Sequence, residues 1–261
     1  MRRTLLGLAA AFLVALVLVQ VTGSGGDLDL DSVADDARAV IGDAAEDVAS
    51  LDDGSGDGGS GDGGSGGSGA SPDGSVDVTK VTRQLDGLTV KGKAPQTGYD
   101  RDEFDHWTDP DGNGCDARND MLARDLSDEK VDDDGCTVLS GTYDVEPYTG
   151  EKNRAFERGS DDLAVSLDAE HVVALQNAWI SGAHDWNDNR REKFANDPAN
   201  LLMVDPGENR TKGAANAAEW LPPNKAFRCE YVATQIEVKA AYELAITQPE
   251  KDAMNRVLES C

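Results

Sequence analysis

An α+β domain, stapled by disulfides, is the fold class this sequence predicts for residues 80–261, and three observations predict it. Residues 168–213 spell strand, loop, strand and helix: Asp168-Ala-Glu-His171 runs into apolar Val172-Val173, and Asn200 opens Leu201-Leu202-Met203-Val204 before Pro206-Gly-Glu-Asn209. A second strand-rich patch, Thr137 to Val145, ends at Pro147. The region from Asn224 to Ile246, and that from Pro249 to Glu259, read as helices that offer Phe227, Tyr231, Val238 and Tyr242 to a core. Cys115, Cys136, Cys229 and Cys261 include no close CxxC pair, which disfavours a zinc knuckle and favours disulfides in an oxidising compartment. Four cysteines allow three connectivities, and the expected one closes two local loops, Cys115 with Cys136 and Cys229 with Cys261.

Composition confines the fold to this part of the chain. Hydrophobic residues make up 39% and aromatics 5%, and the shortage lies in the first hundred residues, where Gly, Ser and Asp dominate. Arg2-Arg3 followed by the apolar run Leu5 to Val21 is an export element over residues 1–23. The run exceeds the ~7–15 residues of a signal-peptide core and falls short of the ~20 that span a bilayer, so a cleaved signal and a retained membrane anchor both stay open. Either places the domain outside the cytoplasmic membrane, secreted or held at its outer face, and limits membrane contact to that segment. Residues 24–79 form an acidic flexible region, in which Val33, Ala37, Val40, Ile41, Ala44, Val48 and Leu51 recur at helical spacing ahead of a Gly/Ser/Asp linker.

The net charge of −26 is unevenly spread: residues 150–261 carry 13 Lys+Arg and 19 Asp+Glu, against 11 and 31 upstream. No basic face is evident from sequence. A partner carrying phosphates is therefore expected to bind weakly, with salt sensitivity and little sequence preference.

The folded part opens near Val81, where Leu85, Leu88 and Val90 suggest a short strand or turn, and Asp102 to Trp107 a helical turn. Asp109, Asp111, Asn113 and Asp120 then fit an EF-hand loop with Asp in place of the last Glu, a possible structural Ca²⁺ site. The competing reading is an acidic Gly-rich turn locked by Cys115.

Chemistry concentrates in residues 168–213. His171 is the one histidine of the motif, His184 being read as structural or surface, and a pKa near ~6.5 suits a general base. Glu170 and the Asn209 amide are hard oxygen donors of the kind Mg²⁺ (or Mn²⁺) accepts, with Asp168 in reserve. Arg210 and Lys212, read as a helix start, are candidates for substrate phosphate. Neither G-x-S-x-G nor HExxH is present.

At Glu170-His171-Val172-Val173, Asn200 and Asn209-Arg210-Thr211-Lys212-Gly213 the chain resembles the HNH endonucleases. It is most similar to the secreted bacterial branch grouped with the C-terminal domains of GmrSD-type restriction enzymes. Tyr99-Asp100-Arg101, Trp107, Gly114-Cys115-Asp116, Phe194-Ala195-Asn196-Asp197 and Trp220-Leu221-Pro222-Pro223 extend the likeness over residues 95–261. The family usually has Asp at the position of Glu170 and Pro at that of Ala174. The resemblance implies a ββα-metal (His-Me finger) core with additional C-terminal helices, and a metal-dependent endonuclease hydrolysing the phosphodiester bonds of DNA or RNA. It implies His171 as the base, Asn200 as the residue tying the loop to that base, and Glu170 with Asn209 at the metal. The alternative function is a catalytically silent, calcium-dependent extracellular binding module.

Overall fold

The computed structural model describes residues 76–261, in the order helix, helix, three strands, strand, two helices, strand and three helices. The export element, the amphipathic stripe of residues 31–51 and the Gly/Ser/Asp linker lie outside the described residues. Among the described residues no helix is long and apolar enough to cross a membrane.

Helix α1 (Val78–Gly87) begins at Asp77, whose carboxylate accepts from Lys80 N at 2.9 Å, and it buries Val81 and Leu85. Of the residues expected in a strand or turn, Leu85 is helical, while Leu88 lies in the bend after the helix and Val90 in a bridge. Val81 and Leu85 lie four residues apart on one helical face, and only Val90 reaches a sheet-like bridge, to Ile246. Helix α2 (Ala117–Asp125) is capped by Asp116 and followed by β1 (Ser127–Val131), β2 (Val138–Val145) and β3 (Lys152–Glu157), an antiparallel sheet in that spatial order. Edge strand β1 exposes Asp128 to Val131, and charged edges discourage pairing with other chains. Gly141 on β2 lets the sheet close on Leu126, because a Cβ there would sit 3.0 Å from the Leu126 Cδ1.

Strand β4 (Asp168–His171) pairs antiparallel with β5 (Leu201–Val204), Asp168 opposite Val204 and His171 opposite Leu201. Between them the chain makes an excursion through α3 (Leu175–Ser181) and α4 (Asp188–Ala195). Helix α5 (Pro206–Lys212) follows β5 directly, so strand, excursion, strand and helix come in the expected order. Asp205 caps α5 and Pro206 opens it, which puts Arg210 and Lys212 in its last turn. The expected helix start at these two residues is corrected accordingly. Asp205 is itself held from the first sheet: its N–H donates to Glu146 at 2.9 Å and its second oxygen meets the buried Arg154 guanidinium at 2.8 Å.

Helix α6 (Arg228–Ala241) ends five residues before Ile246, at a turn where Glu243 takes a left-handed conformation (φ 55°), and α7 (Gln248–Leu258) starts on a Thr247/Glu250 capping box. Disulfides join Cys115 to Cys136 and Cys229 to Cys261, the first fastening α2 to β2 and the second the start of α6 to the chain end.

The ribbon β4–β5 sits where three apolar clusters meet. Val172 and Val204 pack with Val81, Leu85, Tyr148, Tyr231 and Ile236; Val173 packs with Phe104, Leu175, Trp179 and Phe194; Leu201 and Met203 pack with Met121, Leu122 and Phe156. Burying each such side chain contributes ~1.5–3 kcal/mol. The ribbon is therefore held by core packing from three clusters, while Val172, Leu201 and Leu202 also line an open cleft.

Lys239 on α6 and Glu250 on α7 are both buried and form an ion pair, and Glu250 also closes the capping box. Removing one charge strands the other in the core, which typically costs ~3–5 kcal/mol. We expect Lys239→Met to lose that much in urea unfolding, and the addition of Glu250→Gln to recover at least half. A loss below about 1 kcal/mol would show the pair to be dispensable.

Candidate active site

His171 ends β4 at the rim of a cleft of about 260 Å³, which Tyr99, Arg101, Glu170, Gln176 and Asn209 also line. Neighbours on a strand normally face opposite ways. Here the strand stops at His171 and both Glu170 and His171 reach the cleft. The stop is built by Asn200, fully buried, which accepts from Val173 N at 2.8 Å and donates to Val173 O at 3.3 Å while its own carbonyl accepts from Val172 N. Gln235 on α6 reinforces the same turn with a bond to Val172 O at 3.1 Å. Ala174, with φ −54°, begins α3 in a conformation that proline adopts, so the residue usual in the family would fit without rearrangement.

The imidazole of His171 is 3% exposed, and its Nε2 lies 2.7 Å from the Ala195 carbonyl. A carbonyl only accepts, so Nε2 carries the proton and Nδ1 keeps its lone pair. Burial, with the cations Arg101 and Lys212 nearby, pushes the His171 pKa down to about 3 against the pull of the Ala195 bond. The ring is neutral at physiological pH. Trp107 stacks on it with centroids 5.5 Å apart and planes at 29°. Trp107 is itself in the left-handed region (φ 65°), a costly conformation for a bulky residue. Asn196 holds that loop by accepting from Thr108 N and donating to Asp105 O, so consecutive residues Ala195 and Asn196 fix the ring and the indole over it.

Lys212 turns inward. Its side chain is fully buried, its ammonium pairs with Glu170 Oε1 and donates to the His171 carbonyl at 3.1 Å, and it is not on the surface expected of a phosphate-binding residue. The reason is the helix register: Asp205 and Pro206 start α5 so that its last turn faces β4. Burial pushes the Glu170 carboxyl upward and Lys212 pulls against it. Arg210, in the same turn, is exposed. Asn209 lines the cleft and donates from Nδ2 to Asp168 at 3.1 Å, and its Oδ1 has no hydrogen-bond partner among the described residues.

Among the described residues no group of three or more His, Cys, Asp and Glu side chains is placed to hold a metal ion. The oxygen donors at the cleft, Glu170, the free Asn209 carbonyl and Asp168 beside it, suit instead a hard cation taking one or two carboxylates and otherwise water and substrate oxygens. Oxygen donors of this type are those Mg²⁺ takes, although Glu170 Oε1 is already paired with Lys212.

The loop Asp109, Asp111, Asn113 and Asp120 is internally bonded: Asp109 accepts from the N–H of Gly112, Asn113 and Gly114, and the Asn113 amide bonds Asp111 and Asp120. Left-handed Gly112 and Gly114 close the turn. Sequence reasoning gave no role to Arg101, Trp107, the Ala195 carbonyl or Gln235. Three of these four fall in segments that carry the family likeness, and that position was the only available signal.

Residues 116–257 match the family model described as GmrSD restriction endonucleases, C-terminal domain. An "Uncharacterized secreted protein" of Arthroderma benhamiae is 38% identical over 179 residues, 68% of this chain and 82% of that protein. No solved structure matches.

Asn200→Ala strips two buried backbone groups of their partners, a cost of ~1–3 kcal/mol for each group left unpaired. The variant is expected to unfold at least ~2 kcal/mol sooner in denaturant and to expose the Val173 amide to hydrogen exchange. An unchanged exchange rate at Val173 would contradict the role given to Asn200.

Proposed function

The chain belongs to the family of GmrSD restriction endonuclease C-terminal domains, and from that membership we propose that it is an exported HNH endonuclease of ββα-metal type, hydrolysing phosphodiester bonds of DNA or RNA. The observation that carries the reading is the placement of His171: it ends β4 at the rim of the cleft beside Glu170, with Nε2 bonded to the Ala195 carbonyl, which leaves Nδ1 as the nitrogen to accept a proton. Burial lowers its pKa to about 3, below the value near ~6.5 expected from sequence and against the base role, so placement and not basicity supports the reading. Nδ1 takes the proton from a water as its oxygen bonds to phosphorus, and the bond from phosphorus to the 3′ oxygen breaks. Trp107 excludes water from one face of the ring, and Asn200 and Ala195 hold it in orientation. Glu170, with Asn209 and Asp168, would hold a divalent cation, Mg²⁺ or Mn²⁺, which when bound supplies positive charge to the phosphoryl oxygens. Exposed Arg101, which lines the cleft, and exposed Arg210, the residue after Asn209, would meet substrate phosphate. Export agrees with the two disulfides and with the secreted relative.

The calcium-dependent binding module is the weaker reading, because the carboxylates of the 109–120 loop are engaged by the loop's own amides.

Plasmid incubated with the full chain and Mg²⁺ or Mn²⁺ is expected to be nicked, and EDTA to stop it. His171→Ala should retain less than about a hundredth of the rate, since general-base catalysis contributes ~10²–10⁴-fold. Glu170→Asp should keep substantial activity, whereas Glu170→Gln should raise the Mg²⁺ concentration for half activity. Intact plasmid at high protein concentration, on both DNA and RNA, would reject the reading.

A further inference from the structure

A second cleft, of about 400 Å³, lies between the chain after α5 and helices α6 and α7, and three cations line it: Lys225, Arg228 and Arg256. No carboxylate side chain is among its lining residues, although the chain as a whole has a net charge of −26. Arg228 is positioned by a bond from Nε to the Pro222 carbonyl at 2.8 Å. Lys225 and Arg256 have no hydrogen-bond or ion-pair partner among the described residues, and both are exposed. The Cys229–Cys261 disulfide ties the residue after Arg228 to Cys261, five residues beyond Arg256, with Cα atoms 5.9 Å apart, and so fastens together the two helices that carry Arg228 and Arg256.

The two clefts are lined by neighbouring stretches of the chain: Gly213 and Ala214 line the active-site cleft, and Ala217 and Ala218 line the basic one.

Resting on the nuclease reading above, we infer that this basic cleft binds the phosphodiester backbone of the substrate. It supplies the concentrated positive charge that composition did not reveal. The cations act by displacing counterions and read no base, so this contact is indifferent to sequence.

The test is fluorescence anisotropy of a labelled duplex oligonucleotide with full-length protein in EDTA, the oligonucleotide being checked intact on a gel, for wild type and Lys225→Gln/Arg256→Gln. Both side chains are exposed, so the variant should melt as the wild type does. Removing two phosphate contacts should weaken binding roughly tenfold or more at 0.1 M salt and lower the slope of log affinity against log salt by nearly two. Plasmid nicking by the variant should fall through KM. Unchanged affinity and slope would overturn the assignment while leaving the nuclease reading in place. Wild type that binds but never nicks, with binding still lost in the variant, would sink the nuclease reading and keep the phosphate site. Tighter binding of a poly-aspartate peptide than of an oligonucleotide of equal charge would give the cleft to acidic polypeptides and overturn the proposal.

Discussion

The hydrogen bond from His171 Nε2 to the Ala195 carbonyl fixes the chemistry of this site, and much of the surrounding fold serves to make it. His171 and Ala195 are separated by α3 and α4, a long excursion between two paired strands, and the excursion must return the α4 terminus to the end of β4. Phe194, Trp179 and Leu175 bury that return in the core, and Tyr242 donates to Asp197 to hold the segment beyond it. A ring anchored this way cannot take the other tautomer without losing a buried bond, and burial disfavours its charged form.

Glu170 needs opposite treatment, because a buried carboxylate is costly without a partner. Lys212 supplies one from α5, and the placement of Lys212 depends on elements far along the chain: Glu146 and Arg154 grip Asp205, Asp205 caps α5, and α5 delivers the ammonium. The first sheet therefore sets the charge beside His171. This explains why a ribbon of two four-residue strands is packed from three sides rather than left at the surface.

Much of this was legible in sequence, where composition and periodicity speak directly. The strand, excursion, strand and helix order of residues 168–213, the two C-terminal helices and the local pairing of cysteines all follow from patterns within short windows. Helix α1 was misread because Leu85, Leu88 and Val90 satisfy a strand or turn as well as a helix, and only packing against α6 and α7 decides. Strand β1, Ser-Asp-Glu-Lys-Val, has no apolar alternation to betray it. Lys212 was placed on the surface because seven residues do not define which way a helix faces. Arg101 and Trp107 lie some seventy residues from His171, and no local pattern links them. Their juxtaposition is a property of the fold.

The central claim is that His171 is held neutral, with its proton on Nε2 and a lone pair on Nδ1. Nitrogen-15 NMR of the histidine side chains near pH 7 tests it most directly. The account predicts a pyrrole-like Nε2 and a pyridine-like Nδ1 for His171, unchanged as the pH is lowered through ~6.5 to 5, where an ordinary histidine charges. A proton on Nδ1, or an imidazolium signal for His171 within that range, would contradict it.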